Sequence, residues 1–191
     1  MLKEIIDTFE KLKNYVFIIN RGNKKKIIIQ FKDENFFHLV GLHKTNIDMF
    51  FPNFVKTKKR KYTYIKKNIN KFESIISNQI AEKNTLKMRI FNFSKIISIL
   101  FDSNNTSLLS LKVVPPGSSY KGDFGLLKIY EDLNCLLCLK IVEETDNVII
   151  CSPQSYMVDK RILQITEFKM PQYIENIIPI PIELYNETQI I

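Results

Sequence analysis

Apolar positions at the start of the chain recur at helical spacing. Leu2, Ile5, Ile6, Phe9 and Leu12 line one side of an amphipathic helix of about three turns. The period then drops to that of a strand: Tyr15-Val16-Phe17-Ile18-Ile19 is rich in β-branched and aromatic residues. Asn20-Arg21-Gly22-Asn23 supplies turn chemistry and Ile27 to Phe31 follows as a second strand, so a hairpin is predicted. Asp48 to Phe54, which contains Pro52, reads as a loop with aromatic anchors. Helical spacing returns in Tyr62, Ile65, Ile69, Phe72, Ile76 and Ile80, which fit one long amphipathic helix, and again in Leu86, Ile90, Phe93, Ile97 and Leu100. Past Asp102-Ser103-Asn104-Asn105 the pattern is that of strands, at Ser107–Val114, Phe124–Tyr130, Cys135–Val142, Val148–Cys151 and Ile162–Phe168. The short polar turns between the middle three make an antiparallel meander. Ile178-Pro179-Ile180-Pro181-Ile182 must be extended, because alternate prolines cannot donate to a ladder. Helices and a hairpin ahead of such a sheet predict an α+β fold, an antiparallel β-meander with helices packed on one face. A length of 191 residues suits a single domain, 1–191.

Both histidines of the chain fall in one stretch, Phe31-Lys32-Asp33-Glu34-Asn35-Phe36-Phe37-His38-Leu39-Val40-Gly41-Leu42-His43-Lys44. Asp33 or Asn35 can cap a short helix there. Phe36, Leu39 and Val40 share one face with His43, whereas His38 and Leu42 point to the other. A segment apolar all round is usually buried, which places His38 in an interior or a cleft. That suits a hydrogen-bonded core histidine and equally a general acid or base near neutral pH. Helical spacing sets His43 about 140° from His38, so the two are not expected to face one site.

Charge sharpens the picture through its distribution. The net charge is +8. Residues 55–95 alone carry twelve Lys/Arg against two Asp/Glu, while 96–191 carry seven against twelve. The densest run includes Lys56, Lys58, Lys59, Arg60 and Lys61, and Lys66, Lys67 and Lys71 extend it along the predicted helix. A solvated helix entry would look the same, but so concentrated a field favours a polyanionic partner through steering and counterion release. No uncharged apolar run approaches the roughly 20 residues that cross a bilayer, and the N-terminal segment lacks a signal peptide's layout. Three cysteines speak against a secreted disulfide framework, so a cytoplasmic setting without membrane contact is expected.

Several chemistries are disfavoured. Cys135 and Cys138 have C-x-x-C spacing, yet on a strand they face opposite sides, and no second pair exists for zinc. There is no phosphate-binding glycine loop, and neither metal nor nucleotide cofactor is expected. One further polar stretch, Ser152-Pro153-Gln154-Ser155-Tyr156 followed by Asp159-Lys160-Arg161, reads as an ordinary turn closing the meander.

Taken together, the strand running into Asn-Phe-Phe-His-Leu-Val-Gly, the Lys-rich helical middle and the late sheet with Ser-Pro-Gln-Ser-Tyr resemble a phage-associated nuclease family. It is that of the barnase–EndoU–colicin–RelE group, in its fourth phage type, and the resemblance runs from about Tyr15 to Phe168. It implies a metal-independent, toxin-like endoribonuclease acting on RNA such as tRNA, and a protein inhibitor or immunity partner that holds it in check. In such an enzyme the RNA's own 2′-hydroxyl attacks the adjacent phosphorus. On this resemblance His38 is the acid or base, Lys44 or Arg161 stabilises the phosphate, and Ser155 and Tyr156 bind or orient it, with Tyr156 a further proton donor. Lys56, Lys58, Lys59, Arg60, Lys61, Lys66 and Lys67 grip the RNA backbone. The chain departs from the group in its Lys- and Phe-rich insert, 45–60, and a paired histidine would have to be His43. The alternative from another class is a non-catalytic nucleic-acid or protein-binding module on the same fold. An immunity protein is a third, opposed by the positive middle of the chain.

Overall fold

The computed structural model describes residues 1–111, 122–159 and 171–188. The first helix forms as its periodicity predicts, α1 (Leu2–Lys13), with Leu2, Ile5, Ile6, Phe9 and Leu12 all buried. The hairpin follows as β1 (Tyr15–Arg21) and β2 (Lys24–Gln30), joined through Gly22 at φ +61°, a left-handed turn position that favours glycine. A 3-10 turn (Asp33–Asn35) leads into a short helix, α2 (Phe36–Val40), which carries His38.

The two long predicted helices are each broken in two. α3 (Lys58–Lys67) ends at Asn68 before α4 (Ile69–Glu82), and α5 (Asn84–Phe91) ends at Asn92 before α6 (Lys95–Phe101). The cause is the same in both. Asn68 donates its side-chain amide to the Tyr64 carbonyl at 2.9 Å, and Asn92 donates to the Met88 carbonyl at 2.9 Å. An asparagine that bonds four residues back competes with the helix's own ladder.

The strands of the second half are β3 (Thr106–Ser110), β4 (Phe124–Ile129), β5 (Asn134–Glu144) and β6 (Val148–Asp159), and β3 to β6 pair in turn, antiparallel, as the meander predicts. β7 (Pro171–Gln172), β8 (Asn176–Pro181) and a last helix, α7 (Ile182–Thr188), complete the described elements. The sheet order is β7-β3-β4-β5-β6-β2-β1-β8. β8 is the outer strand, where its prolines leave no ladder bond unmade. The hairpin joins the meander through β2 and β6, which run parallel with Ile28 opposite Ile150. Parallel neighbours need a long crossover, and here it contains α2 to α6. The predicted strand at 162–168 lies outside the described residues.

One expectation is corrected outright. Ser152-Pro153-Gln154-Ser155-Tyr156 is not a turn at the end of the sheet but the middle of β6. Register shifts there, with Leu139 opposite Pro153 and Cys138 opposite Ser155, so one extra residue is accommodated as a bulge. A bulge is one of the few places a strand tolerates proline.

The buried residues of α1 to α6 join one apolar cluster with one face of the sheet, through Phe17, Ile29, Leu137, Cys151 and Tyr156 among others. Leu109, Leu111, Leu127, Leu136 and Cys138 form a separate cluster on the other face. Cys135 and Cys138 therefore do face opposite ways. No helix among the described residues is long and apolar enough to cross a membrane.

A polar clamp ties three of these elements together beside the histidine segment. Tyr62 of α3 donates to Glu10 of α1. Lys13 lies 3.1 Å from Glu10 and 2.6 Å from Asp33, and Lys66 lies 3.2 Å from the other Glu10 oxygen. Burial pushes the Glu10 carboxyl up, but hydrogen bonds from Tyr62, Lys13 and Lys66 outweigh it and hold the group below its ordinary value of 4.5. A carboxylate depressed on folding adds stability above its unfolded value, and that stability is lost as pH falls through the lower folded value. Glu10→Gln is accordingly expected to narrow the stability difference between pH 7 and mildly acid solution, measured by urea denaturation at a series of pH values below 4.5.

Candidate active site

The site is built on Asn35. Its side-chain oxygen accepts from the Lys32 backbone N–H at 2.7 Å, which closes the turn before α2. Its amide nitrogen donates to the Pro153 carbonyl and to Ser152 Oγ, both at 2.9 Å. Asn35 is 4% exposed, so these bonds form away from competing water. The two short motifs that carry the family resemblance are thus bonded to each other, and the bulge of β6 offers the carbonyl that Asn35 reads.

From that seat α2 runs for little more than a turn and stops at Gly41, whose φ of +89° is a left-handed cap. The cap reverses the chain, and the 3-10 turn Leu42–Lys44 brings His43 back over the helix. The rings of His38 and His43 lie 4.5 Å apart between centroids, inclined at 48°. The expectation that the two histidines point apart is therefore overturned. Helical spacing did not apply, because the helix ends between them.

Each ring is oriented. His43 Nδ1 lies 3.3 Å from the Phe37 carbonyl, which can only accept, so Nδ1 holds the proton and the lone pair of the neutral ring falls on Nε2. His38 Nε2 lies 2.6 Å from Lys58 Nζ, the donor at the start of α3. In that contact Nε2 presents its lone pair, the form required of a base. Beneath them the Arg89 guanidinium donates to the His38 carbonyl at 3.2 Å. Arg89 is buried, and burial pulls it below the usual guanidinium range. The φ of +89° favours glycine at residue 41, and a Cβ there would meet Arg89 Nη1 at 2.9 Å and so make the guanidinium shift.

The cations expected to grip RNA divide by partner. Lys61 is tied to Asp48 at 2.7 Å and sits 5.5 Å over the Phe51 ring, and Lys66 is tied to Glu10. Lys56, Lys58, Lys59, Arg60 and Lys67 are exposed. Lys58 belongs to the histidine cluster as well as to the basic run.

Tyr156 and Ser155 do not join it. Tyr156 is 0% exposed, its hydroxyl donates to the Asn92 carbonyl at 2.9 Å, and burial holds it well above the ordinary phenol value. It is a core post that props the α5–α6 corner on the sheet. Ser155 is next to Tyr156 on β6 and so faces the opposite side of the sheet from α2, opposite Cys138. Its Oγ is shielded, with no hydrogen-bond partner among the described residues. Arg161 lies outside the described residues, as does the side chain of Lys44. Hollows of about 200 and 550 Å³ flank α1, lined by none of the residues expected to act. Among the described residues no group of three His, Cys, Asp or Glu is arranged to hold a metal ion. The sequence reading did not weigh Asn35 as a tether, Gly41 or Arg89. A glycine directly after a short helical run was a usable signal for a left-handed cap, whereas nothing local marks Arg89.

Residues 1–178 match the family described as phage-Barnase-EndoU-ColicinE5/D-RelE like nuclease4. The chain belongs to this nuclease family. No curated protein and no solved structure matches it. Family membership gives the histidine cluster its context, a nuclease fold of phage association.

Two substitutions test how the cluster is held. Gly41→Ala is expected to cost about 1–2 kcal/mol in denaturant unfolding, from a left-handed backbone alone, and to separate the two rings. NMR of the imidazole protons would show cross-ring contacts in the parent and their loss in the variant. Asn35→Ala leaves buried groups unpaired on both sides and is expected to cost about 1–3 kcal/mol, read by the same unfolding curves.

Proposed function

We propose that the chain is a metal-independent endoribonuclease, toxin-like in character, with His38 and His43 as its proton-transfer pair. The observation that carries this reading is the pairing of the two imidazoles beside the Lys58 ammonium on a nuclease-family fold. His38 Nε2 takes the proton of the ribose 2′-hydroxyl as O2′ attacks phosphorus. The P–O5′ bond breaks, and the leaving 5′-oxygen takes its proton from the protonated His43. The products are a 2′,3′-cyclic phosphate and a free 5′-hydroxyl. Lys58 turns from His38 to the phosphate as negative charge builds there, a role in which positioned cations are most effective. DNA, which lacks the 2′-hydroxyl, is not a substrate on this mechanism. Structured RNA such as tRNA is the natural class of target, with a protein inhibitor as the corresponding partner, and the exposed cations of α3 supply sequence-independent grip.

The test is incubation of the purified chain with total RNA and with DNA of matched length in excess chelator. RNA is expected to be cut to ends bearing 2′,3′-cyclic phosphate, and DNA to survive. His38→Ala and His43→Ala are each expected to lower the rate about 10²–10⁴-fold, and kcat/KM of the parent is expected to be bell-shaped in pH. Cleavage that needs a divalent ion, or that persists unchanged in His38→Ala, would overturn the reading. RNA binding without cleavage in parent and variants alike would favour a non-catalytic module.

A further inference from the structure

The stretch between α2 and α3 places an aromatic ring where a core-forming residue has no reason to be. Phe54 is 68% exposed. Its ring nonetheless has a fixed seat, packed edge-on with Tyr64 of α3 at 6.5 Å and 77°. Tyr64 in turn packs against Phe51 at 6.0 Å, and Phe51 against Phe37 at 5.9 Å, the residue before His38. Arg60 reaches back from α3 to the Phe54 carbonyl at 3.4 Å.

On α3 the core-facing residues are Tyr62 and Ile65. Arg60, Tyr64 and Lys67 follow at four- and three-residue intervals and so share the opposite face. An open aromatic ring therefore stands beside outward cations, in the stretch of the chain with the greatest excess of positive charge.

We infer that Phe54, backed by Tyr64, is a stacking platform for an unpaired base of single-stranded RNA whose backbone lies along Arg60 and Lys67. This rests on the ribonuclease reading for the identity of the polymer. Charge complementarity points to a nucleic acid over a protein surface. The open ring points to a single strand, because in a duplex the faces of the bases are already stacked, while unstacked bases are commonly held on aromatic side chains. The platform gives the enzyme a preference for loops and ends of folded RNA without reading a sequence.

The experiment measures fluorescence anisotropy of the full chain with a single-stranded 2′-O-methyl RNA, which cannot be cut by its own 2′-hydroxyl, and with its duplex. Phe54→Ala is expected to weaken single-strand binding about fivefold to 150-fold, with duplex binding unchanged. Phe54→Trp is expected to restore it and Phe54→Leu not to. Phe54→Ala should leave the salt dependence intact, whereas Lys67→Ala should reduce its slope by about one. Equal loss on single strand and duplex, no loss, full rescue by leucine, or no RNA binding by the parent would each overturn the platform. If RNA is cut and Phe54→Ala changes neither affinity nor KM, the platform falls and the nuclease stands. If stacking is seen without cleavage, the platform stands and the nuclease falls.

Discussion

One buried side-chain amide holds the candidate site together. Asn35 closes the turn ahead of α2 by accepting from Lys32 and fastens it to the sheet by donating to Ser152 and Pro153. Hydrogen bonds out of reach of water gain strength, and breaking one leaves its partner unsatisfied at a cost of about 1–3 kcal/mol. A helix of five residues has too few internal bonds to persist by itself. Its order therefore comes from outside: Asn35 at its entrance, Arg89 at the His38 carbonyl and apolar packing of Phe36, Leu39 and Val40. The rigid sheet supplies the fixed frame, and the bulge in β6 presents the carbonyl at which the histidine segment docks.

The electrostatics of α3 follow a division of labour set by the helix's faces. Lys66 on one flank is bound to Glu10, and Lys61 on the other to Asp48. Exposed ion pairs of this kind contribute little each, about 0–1 kcal/mol, but here they join a clamp that includes Lys13, Asp33 and the Tyr62 hydroxyl. The clamp sets α3 against α1 and the turn before α2, and so brings the first lysine of the helix to His38. The outward face keeps Arg60 and Lys67 exposed. A single basic run thus serves structure on its flanks, the histidine pair at its start and the solvent on its far side, and the formal charge count blurs these three uses.

The pattern of apolar and polar residues by itself determined the first helix, the hairpin, the antiparallel meander, the extended course of the proline-rich strand and the opposed faces of Cys135 and Cys138. Each follows from side-chain periodicity or from the backbone limits of glycine and proline, which are local. Tertiary structure alone decided the rest. It drew Ser152–Tyr156 into a strand, buried Tyr156 and turned Ser155 away from α2, whereas the breaks at Asn68 and Asn92 come from local bonds four residues back. Above all it set His43 against His38, which spacing had placed on opposite sides. Periodicity assumes that an element continues, and a left-handed glycine followed by a partner from β6 or α5 ends that assumption with contacts that no local stretch contains.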